Sequence, residues 1–400
     1  MPADPSAPLR VLVMHEGATW LRGTEFVLLD ILRHLDREAF APLVWCSGEV
    51  MEEAVRALGY PVHRSPFAAY LNYPGSWAHF RTRYLASQVL EARRLIHAHG
   101  AQVLHGNSSG LAQTLAPAAA LTGRPLMIHV HNHHPRRARF VFLVHQADLL
   151  AGVADALVRP HAADGMPPER LRTIRNGIDP ARLAWSGPRW RDRLGIPAEA
   201  PLVGTLGSLI HRKGHDVLVE ALRRLGGPAH AMIGGSGPDE AAIRAAVAAA
   251  GLEGRVHFAG QVDDPGAFYA GCDVFALASR EEGMPLVLAE AGYAGVPAVA
   301  SDVGGVAELV RDGETGRVVP PEDPAALAEA LGALLADAPA RARMGEAAAA
   351  RVRAELMLAG WVRLVEASWR QLAAQGRGSS LGPSRLRCYA RLIRGTAGPD

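Results

Sequence analysis

Residues 273–301 read DVFALASREEGMPLVLAEAGYAGVPAVAS. The apolar run DVFALA predicts a strand, SREEGMP a loop, LVLAEAGYAG a helix and PAVAS a second strand. Strands with almost no polar alternation are those buried on both faces, so the stretch reads as one strand–helix–strand unit of a parallel sheet.

The same alternation extends in both directions. PLVGTLG, DVLVEALRRL, AHAMIGGSG and RVHFAG precede the stretch. Nearer the amino terminus RVLVMH (10–15) ends in a glycine-containing loop, and Thr24 is expected to cap the helix TEFVLLDILRHL. APLVWCSG, MEEAVRALG, YPVHRSP, AQVLHGN and PLMIHVHN continue the pattern. Strands alternating with helices predict an α/β fold with parallel sheets covered on both sides.

A chain of 400 residues exceeds one ordinary core, which predicts two domains and a cleft between them. The turn-rich segment RNGIDPARLAWSGPRW (175–190) separates the two series, and its proline and glycine content places the hinge near Ala184 to Arg189. The expected organisation is a flexible start (1–8), a first Rossmann-like domain (9–185), a second Rossmann-like domain (186–358), a helix packing back on the first domain (359–375) and a basic tail (376–400). SRLRCYARLIR in that tail reads either as an amphipathic helix touching a membrane surface or as a solvated segment.

Composition excludes several functions. Hydrophobic residues at 49% and charged residues at 20% describe a packed globular chain, and 42 Lys and Arg against 40 Asp and Glu give no field for nucleic acid. Cys46, Cys272 and Cys388 lie far apart, so neither a disulfide framework nor a zinc knuckle is expected, and a reducing compartment fits. The opening MPADPSAP, with an acid and three prolines, does not read as a secretory signal, and the uncharged run from Ser108 to Gly123 reads as too short and polar for a membrane span. A cytoplasmic protein is expected, and of the two readings of the tail the membrane-touching one would bring it to the inner face of the membrane.

Chemistry concentrates at two loops. In LIHRKGHDV (209–217) Arg212 and Lys213 precede a glycine at a strand end and helix start, which suits a diphosphate; a solvated turn is the competing reading. In SREEGMPLVLAEA, Glu282 lies in the loop and Glu290 inside the helix. A carboxylate in an otherwise apolar helix needs a partner, either ribose hydroxyls or a core salt bridge, while Glu282 can meet the hydroxyls of a sugar. Met284, Leu286 and Val287 offer amides toward a phosphate; Pro285 cannot.

These residues resemble the retaining GT-B glycosyltransferases of glycosyltransferase family 4. EEGMPLVLAEAGYAGVPAVASDVGGVAELVRDGETGRVVPP (281–321), with its glutamate pair and Gly304–Gly305, is similar to that family's signature throughout. HRKGHDVLVEAL, IGGSGPDE, RVHFAGQV and RNGID match its other blocks in order, so the resemblance covers about residues 9 to 370. It implies a GT-B fold, two Rossmann-like α/β/α domains with parallel sheets facing a central cleft, 9–185 on the acceptor side and 186–358 binding the nucleotide sugar. It also implies that Glu290 holds the donor ribose, Glu282 faces the donor sugar and Lys213 neutralises the diphosphate, with Gly207, Ser208 and Val262 of RVHFAGQV lining the donor. The family usually keeps an arginine where this chain has Ser208; either Arg212 replaces that cation or the phosphates are held less tightly.

In the amino half, PLMIHVHNHHPRR places four histidines close together, without the Cys or carboxylate spacing of a metal site. The resemblance instead implies that His131 faces the transferred sugar, with His129 structural. Gly23 occupies the second of two family glycines in the first loop, and Arg22 the first, where it either narrows the backbone approach or adds a cation. Tyr70, Tyr73, Trp77 and Phe80 read equally as an acceptor wall or as packing. Neither the first loop nor GGSG has the GxGxxG spacing of a nicotinamide-binding protein.

No two aspartates are separated by a single intervening residue, so the Asp-x-Asp metal clamp of the other large transferase fold is missing from the sequence, and no metal or other cofactor is expected. The resemblance implies sugar transfer with retention from a nucleotide diphosphate sugar, UDP-linked before GDP-linked, to a glycan, lipid-linked or small-molecule acceptor. The site would be complete when the cleft closes His131 and the Gly23 loop over the donor. The rivals are a nucleotide-sugar epimerase or a phosphorylase on the same fold, and a catalytically silent binding subunit.

Overall fold

The computed structural model describes residues 7–17, 23–67 and 82–377. They fall into two compact units, one running up to Arg175 and resuming at Trp361, the other Asn176–Gly360. Tyr70, Tyr73, Trp77, Phe80, Arg22 and the tail from residue 378, Cys388 included, lie outside the described residues.

The first unit's sheet comprises β1 (Leu9–His15), β2 (Phe40–Cys46), β3 (Val62–Arg64), β4 (Val103–Gly106), β5 (Leu126–Val130), β6 (Leu149–Gly152) and β7 (Leu171–Thr173). These pair in the order β3-β2-β1-β4-β5-β6-β7, every pairing parallel. Val11, Leu12, Val13 and Met14 of β1 are fully buried, which is why this central strand shows no polar alternation. Chain order reverses between β1 and β4, and in open parallel sheets such a switch point opens a crevice at the carboxyl ends of the strands.

The second unit repeats the plan with β8 (Leu202–Leu206), β9 (His230–Gly234), β10 (Val256–Gly260), β11 (Val274–Leu277), β12 (Ala298–Ser301) and β13 (Gly316–Val319). They form an all-parallel sheet in the order β10-β9-β8-β11-β12-β13, so its switch point lies between β8 and β11. Val203, Val274 and Ala276 of those two strands pack with Leu218, Leu222 and Leu331 from the covering helices in one apolar core.

The predicted α/β architecture is thus the observed one, two Rossmann-like parallel sheets. The units part at Arg175, ahead of the Ala184–Arg189 hinge that composition suggests. The reason is local packing. Ile178 bridges Met357 and its carbonyl accepts the Leu358 N–H at 3.0 Å, and a Cβ on Gly266 would lie 2.1 Å from the Leu183 carbonyl, so 178–183 are built into the second unit. Thr24 is not the cap; the helix Gly23–His34 already includes it.

The alanine-rich end forms three helices, Pro324–Ala336, Ala338–Glu355 and Leu358–Gln375. In the last, Trp369 is fully buried with its ring 5.6 Å from Phe40 and 5.7 Å from His105, and Glu366 accepts the Asp36 N–H at 3.0 Å. Its residues from Trp361 onward therefore belong to the first unit. No helix among the described residues is long and apolar enough to cross a membrane.

Candidate active site

At the second unit's switch point, the loops that follow β8 and β11 meet. Gly214 adopts φ +62°, and a Cβ there would sit 2.0 Å from the Ala278 carbonyl, so only glycine lets the His211–Lys213 turn lie against the end of β11. That approach brings Lys213 Nζ to 2.6 Å from Glu282 Oε1. Ser279 Oγ donates to the same oxygen at 2.7 Å, and Arg212 Nη1 lies 3.6 Å from Oε2. Glu282 is buried while Lys213 and Arg212 keep part of their side chains in solvent, so cationic charge faces outward from a buried carboxylate.

Two reciprocal straps hold these loops together. Arg212 Nη1 donates to the Glu281 carbonyl at 2.8 Å, and the Arg280 N–H donates to the Arg212 carbonyl at 2.8 Å. The Arg280 guanidinium grips both Asp216 oxygens at 2.9 and 2.7 Å and the His211 carbonyl at 2.7 Å, and also binds Glu322. Paired this way, Arg280 is held above the usual arginine range, chiefly by its hydrogen bonds to Asp216 against a cost of burial. Asp216 is in turn held below the usual carboxylate range, first by Arg280 and further by the nearby amides of Asp216 and Val217 at the start of the helix His215–Leu225.

A second helix end without a side-chain cap follows the β11 loop. Helix Leu286–Tyr293 follows Pro285 with no side-chain cap, leaving Leu286 and Val287 in its first turn. Met284 sits just before it and its Sδ accepts the Asn176 N–H at 3.1 Å. One turn further in, Glu290 Oε2 accepts from the Tyr269 hydroxyl at 2.7 Å. Tyr269 is fully buried, and burial followed by the neighbouring carboxylate of Glu290 pushes its pKa well up, so it remains a donor. Gly304 at φ +56° closes the loop beneath, since a Cβ there would meet the Glu282 carbonyl at 1.8 Å.

Gly207 and Ser208 lie in a loop bonded to the one after β9: Gly207 N–H to the Gly234 carbonyl at 3.0 Å and Leu209 N–H to the Ser236 carbonyl at 2.9 Å. A Cβ on Gly235 would lie 1.9 Å from the Gly207 carbonyl, which explains GGSG as loop packing. Val262 packs on Gly234, where an added Cβ would meet its Cγ2 at 2.9 Å. The structure therefore brings Lys213, Arg212 and Glu282 into one cluster, sets Leu286, Val287 and Glu290 on the adjoining helix with Met284 just before it, and places Ser208 and Val262 on the β8–β9 side.

The first unit has its own polar group at its switch point. His131 follows β5, and its Nε2 lies 3.1 Å from Asn107 Oδ1. The His129 ring stands 4.5 Å from that of His131 and 5.9 Å from that of His105, all three buried. Burial lowers the pKa of His129 to about 4 and that of His131 well below the usual histidine value, so both rings are neutral at pH 7. Gly23 begins its helix exposed, and a Cβ added there would have no described atom within 4 Å.

The four-histidine stretch 129–134 does not form a metal-ligating group. Among the described residues that geometry occurs at His145, His161 and Asp164, whose ligand atoms lie within 4.8 Å of one another, a cluster without a sequence signature. It does not suit a cation. Arg139 binds both Asp164 oxygens at 2.7 and 3.1 Å, Arg136 approaches one at 3.2 Å, and His145 completes the set at 3.1 Å. Burial alone would raise the Asp164 pKa, yet hydrogen bonds from His145 and Arg139 hold it well below the usual carboxylate range, the signature of a buried ion pair.

Known proteins share this geometry's sequence blocks and fold. Residues 187–351 match the family described as Glycosyl transferases group 1, and residues 21–182 match Glycosyltransferase Family 4. A GDP-mannose-dependent alpha-(1-6)-phosphatidylinositol monomannoside mannosyltransferase of Mycolicibacterium smegmatis is 30% identical over 342 residues, spanning 80% of this chain and 86% of its own. A D-inositol 3-phosphate glycosyltransferase of Xylanimonas cellulosilytica is 36% identical over half of each chain. Among solved structures, HepE of Anabaena in complex with UDP superposes with a TM-score of 0.76 at 22% identity, over 91% of this chain and all of that one.

Proposed function

The chain belongs to the group 1 glycosyl transferases of glycosyltransferase family 4 and is a glycosyltransferase of the GT-B type, and from this we propose that it moves a hexosyl group from a nucleoside diphosphate sugar to an acceptor hydroxyl, with retention and without a metal. The observation that carries the proposal is the Lys213–Glu282 pair at 2.6 Å, at the switch point between β8 and β11 and beside the uncapped helix that bears Glu290.

Departure of a nucleoside diphosphate gathers negative charge on the leaving oxygen. Lys213, Arg212 and the first-turn amides of helix 286–293 would stabilise that charge as it develops, without needing to reorganise. Glu290 would accept hydroxyl hydrogen bonds from the ribose. Glu282, already ion-paired with Lys213, is better suited to orienting the sugar than to attacking it as a glycosidase nucleophile would. Retention would then follow from same-face attack, the leaving phosphate oxygen helping to remove the acceptor proton. His131 is proposed as a sugar-facing group, and Gly23 as a point of close approach for the donor.

GDP-mannose is the donor named for the relative that spans most of the chain, and UDP is the nucleotide in the HepE complexes, so these are the two donors to test first. The acceptors in the relatives' names, an inositol phosphate and a phosphatidylinositol glycolipid, support a polyol or lipid-linked hydroxyl. Incubation with each donor and such acceptors in excess chelator, with the product anomer read by NMR, tests the proposal. Transfer with retained configuration supports it; transfer abolished by chelation, or an inverted product, refutes the corresponding part.

A further inference from the structure

A chain of polar side chains runs beneath His131, contributed by β1, the segment after β4 and the helix 23–34. Glu25, His15 and Asn107 are almost completely inaccessible to solvent, an environment in which polar groups persist only when their hydrogen bonding is organised. Glu25 Oε1 stands 3.7 Å from His15 Nε2, Asn107 Nδ2 lies 3.0 Å from His15 Nδ1 and 3.3 Å from the Thr24 carbonyl, and Asn107 Oδ1 lies 3.1 Å from His131 Nε2.

The donor and acceptor roles along this chain are forced in sequence. A backbone carbonyl only accepts, so the Thr24 oxygen fixes which end of the Asn107 amide is nitrogen. That nitrogen also donates to His15 Nδ1, which must therefore carry the lone pair, while His15 Nε2 faces Glu25 at 3.7 Å, beyond hydrogen-bond reach. The remaining end of Asn107 is an oxygen, which only accepts. His131 Nε2 must then be the protonated nitrogen.

We propose that Asn107 is a positioning residue that locks His131 in its Nε2–H tautomer, so that Nδ1 offers a lone pair to a hydroxyl of the transferred sugar, with His15 Nδ1 and the Thr24 carbonyl holding the Asn107 amide in that orientation. The tautomer stands on geometry alone; its use toward a sugar rests on the transferase reading given above. The titratable groups around His131 are His129 on β5, His15 on β1, His105 on β4 and, beyond His15, Glu25. The three imidazoles and burial all oppose protonation of the ring, which keeps the lone pair available.

The test is a long-range proton–nitrogen NMR spectrum of protein labelled with 15N-histidine, the His131 signals being those lost in His131→Gln. Near pH 7 the wild-type His131 is expected to show a protonated Nε2 and an unprotonated Nδ1. Asn107→Ala should collapse this to a mixture of tautomers and lower kcat/KM about tenfold, the loss of one orienting hydrogen bond. Asn107→Asp places a carboxylate against Nε2–H, so His131 should protonate at higher pH and the activity profile should gain an acidic limb, which a merely structural asparagine would not produce. A wild-type His131 protonated on Nδ1, or a spectrum unchanged in Asn107→Ala, overturns the proposal. If both variants fail to fold, the wild-type spectrum still decides it. The expected spectra without turnover on any donor would support the tautomer lock while counting against the transferase reading.

Discussion

Lys213 Nζ and Glu282 Oε1 stand 2.6 Å apart across two loops that are 69 residues distant in sequence. The cation assigned to the donor phosphates is therefore stored against the carboxylate assigned to the donor sugar, and each fixes where the other points. Lys213→Ala should lower kcat by about 10²- to 10³-fold, the scale of one preorganised donor at a developing oxyanion. Lys213→Arg should recover part of it. Steady-state kinetics with saturating donor check this, and wild-type kcat in Lys213→Ala would contradict it.

Glu290 is anchored by the buried Tyr269 hydroxyl at 2.7 Å, so the two should act in the same direction with different weight. Glu290→Ala removes the acceptor for ribose hydroxyls and should raise the donor KM more than about tenfold, the cost of one to two hydrogen bonds to a charged group at about 1.5–3 kcal/mol each. Tyr269→Phe removes this hydrogen bond to the carboxylate and should raise KM less, with little change in kcat. A larger effect on kcat than on KM in Tyr269→Phe would point to a different role.

The loop beneath Glu282 tolerates no side chain at Gly304. With φ +56° and a Cβ that would lie 1.8 Å from the Glu282 carbonyl, Gly304→Ala must push that carbonyl away. We expect a loss of about 1–3 kcal/mol in stability and a larger loss of activity than stability alone explains, because Glu282 moves with its own backbone. Unfolding curves and kinetics on the same preparation separate the two.

Asp164 is held well below the ordinary carboxylate range by His145 and Arg139 despite its burial. Its folded pKa is thus lower than its unfolded value of about 3.9. The stabilisation is in full force above the unfolded value and disappears as pH falls toward the folded one. Asp164→Asn leaves Arg139 buried without its counter-charge and should cost about 3–5 kcal/mol at neutral pH. Hydrogen exchange in the helix Asp155–Ala163, followed from about pH 7 downward, should show faster opening in the variant and a flatter acid dependence. An unchanged acid dependence would assign the acid sensitivity to other groups.

Much of the fold and part of the site are legible in the chain itself. Apolar runs such as DVFALA and PAVAS are β11 and β12, and Glu282 and Glu290 fall in the loop and helix expected between them. What stays hidden depends on contacts between distant segments. Gly235 and Gly214 matter because other loops' carbonyls would lie 1.9 and 2.0 Å from their missing Cβ atoms, and Arg280 because Asp216 and Glu322 converge on it. Neither feature has a local signature. Composition misplaces the hinge because proline and glycine mark turns, whereas a boundary depends on packing, and Ile178 packs with Met357. His15 and Asn107 do leave a trace: each is a polar residue ending or following an apolar strand at the sheet's switch point, where ligand-facing groups collect.

Every role assigned to the second unit depends on its holding a nucleoside diphosphate through Lys213 and Glu290. Calorimetric titration of the full chain with GDP and with UDP, without metal and in excess chelator, measures that binding. Saturable binding of at least one of the two is expected, weakened at least about tenfold by Lys213→Ala and by Glu290→Ala, the loss of a charged hydrogen bond in each case, and unaffected by Asn107→Ala. Equal affinity in wild type and both site variants, or no binding of either nucleotide, would contradict it.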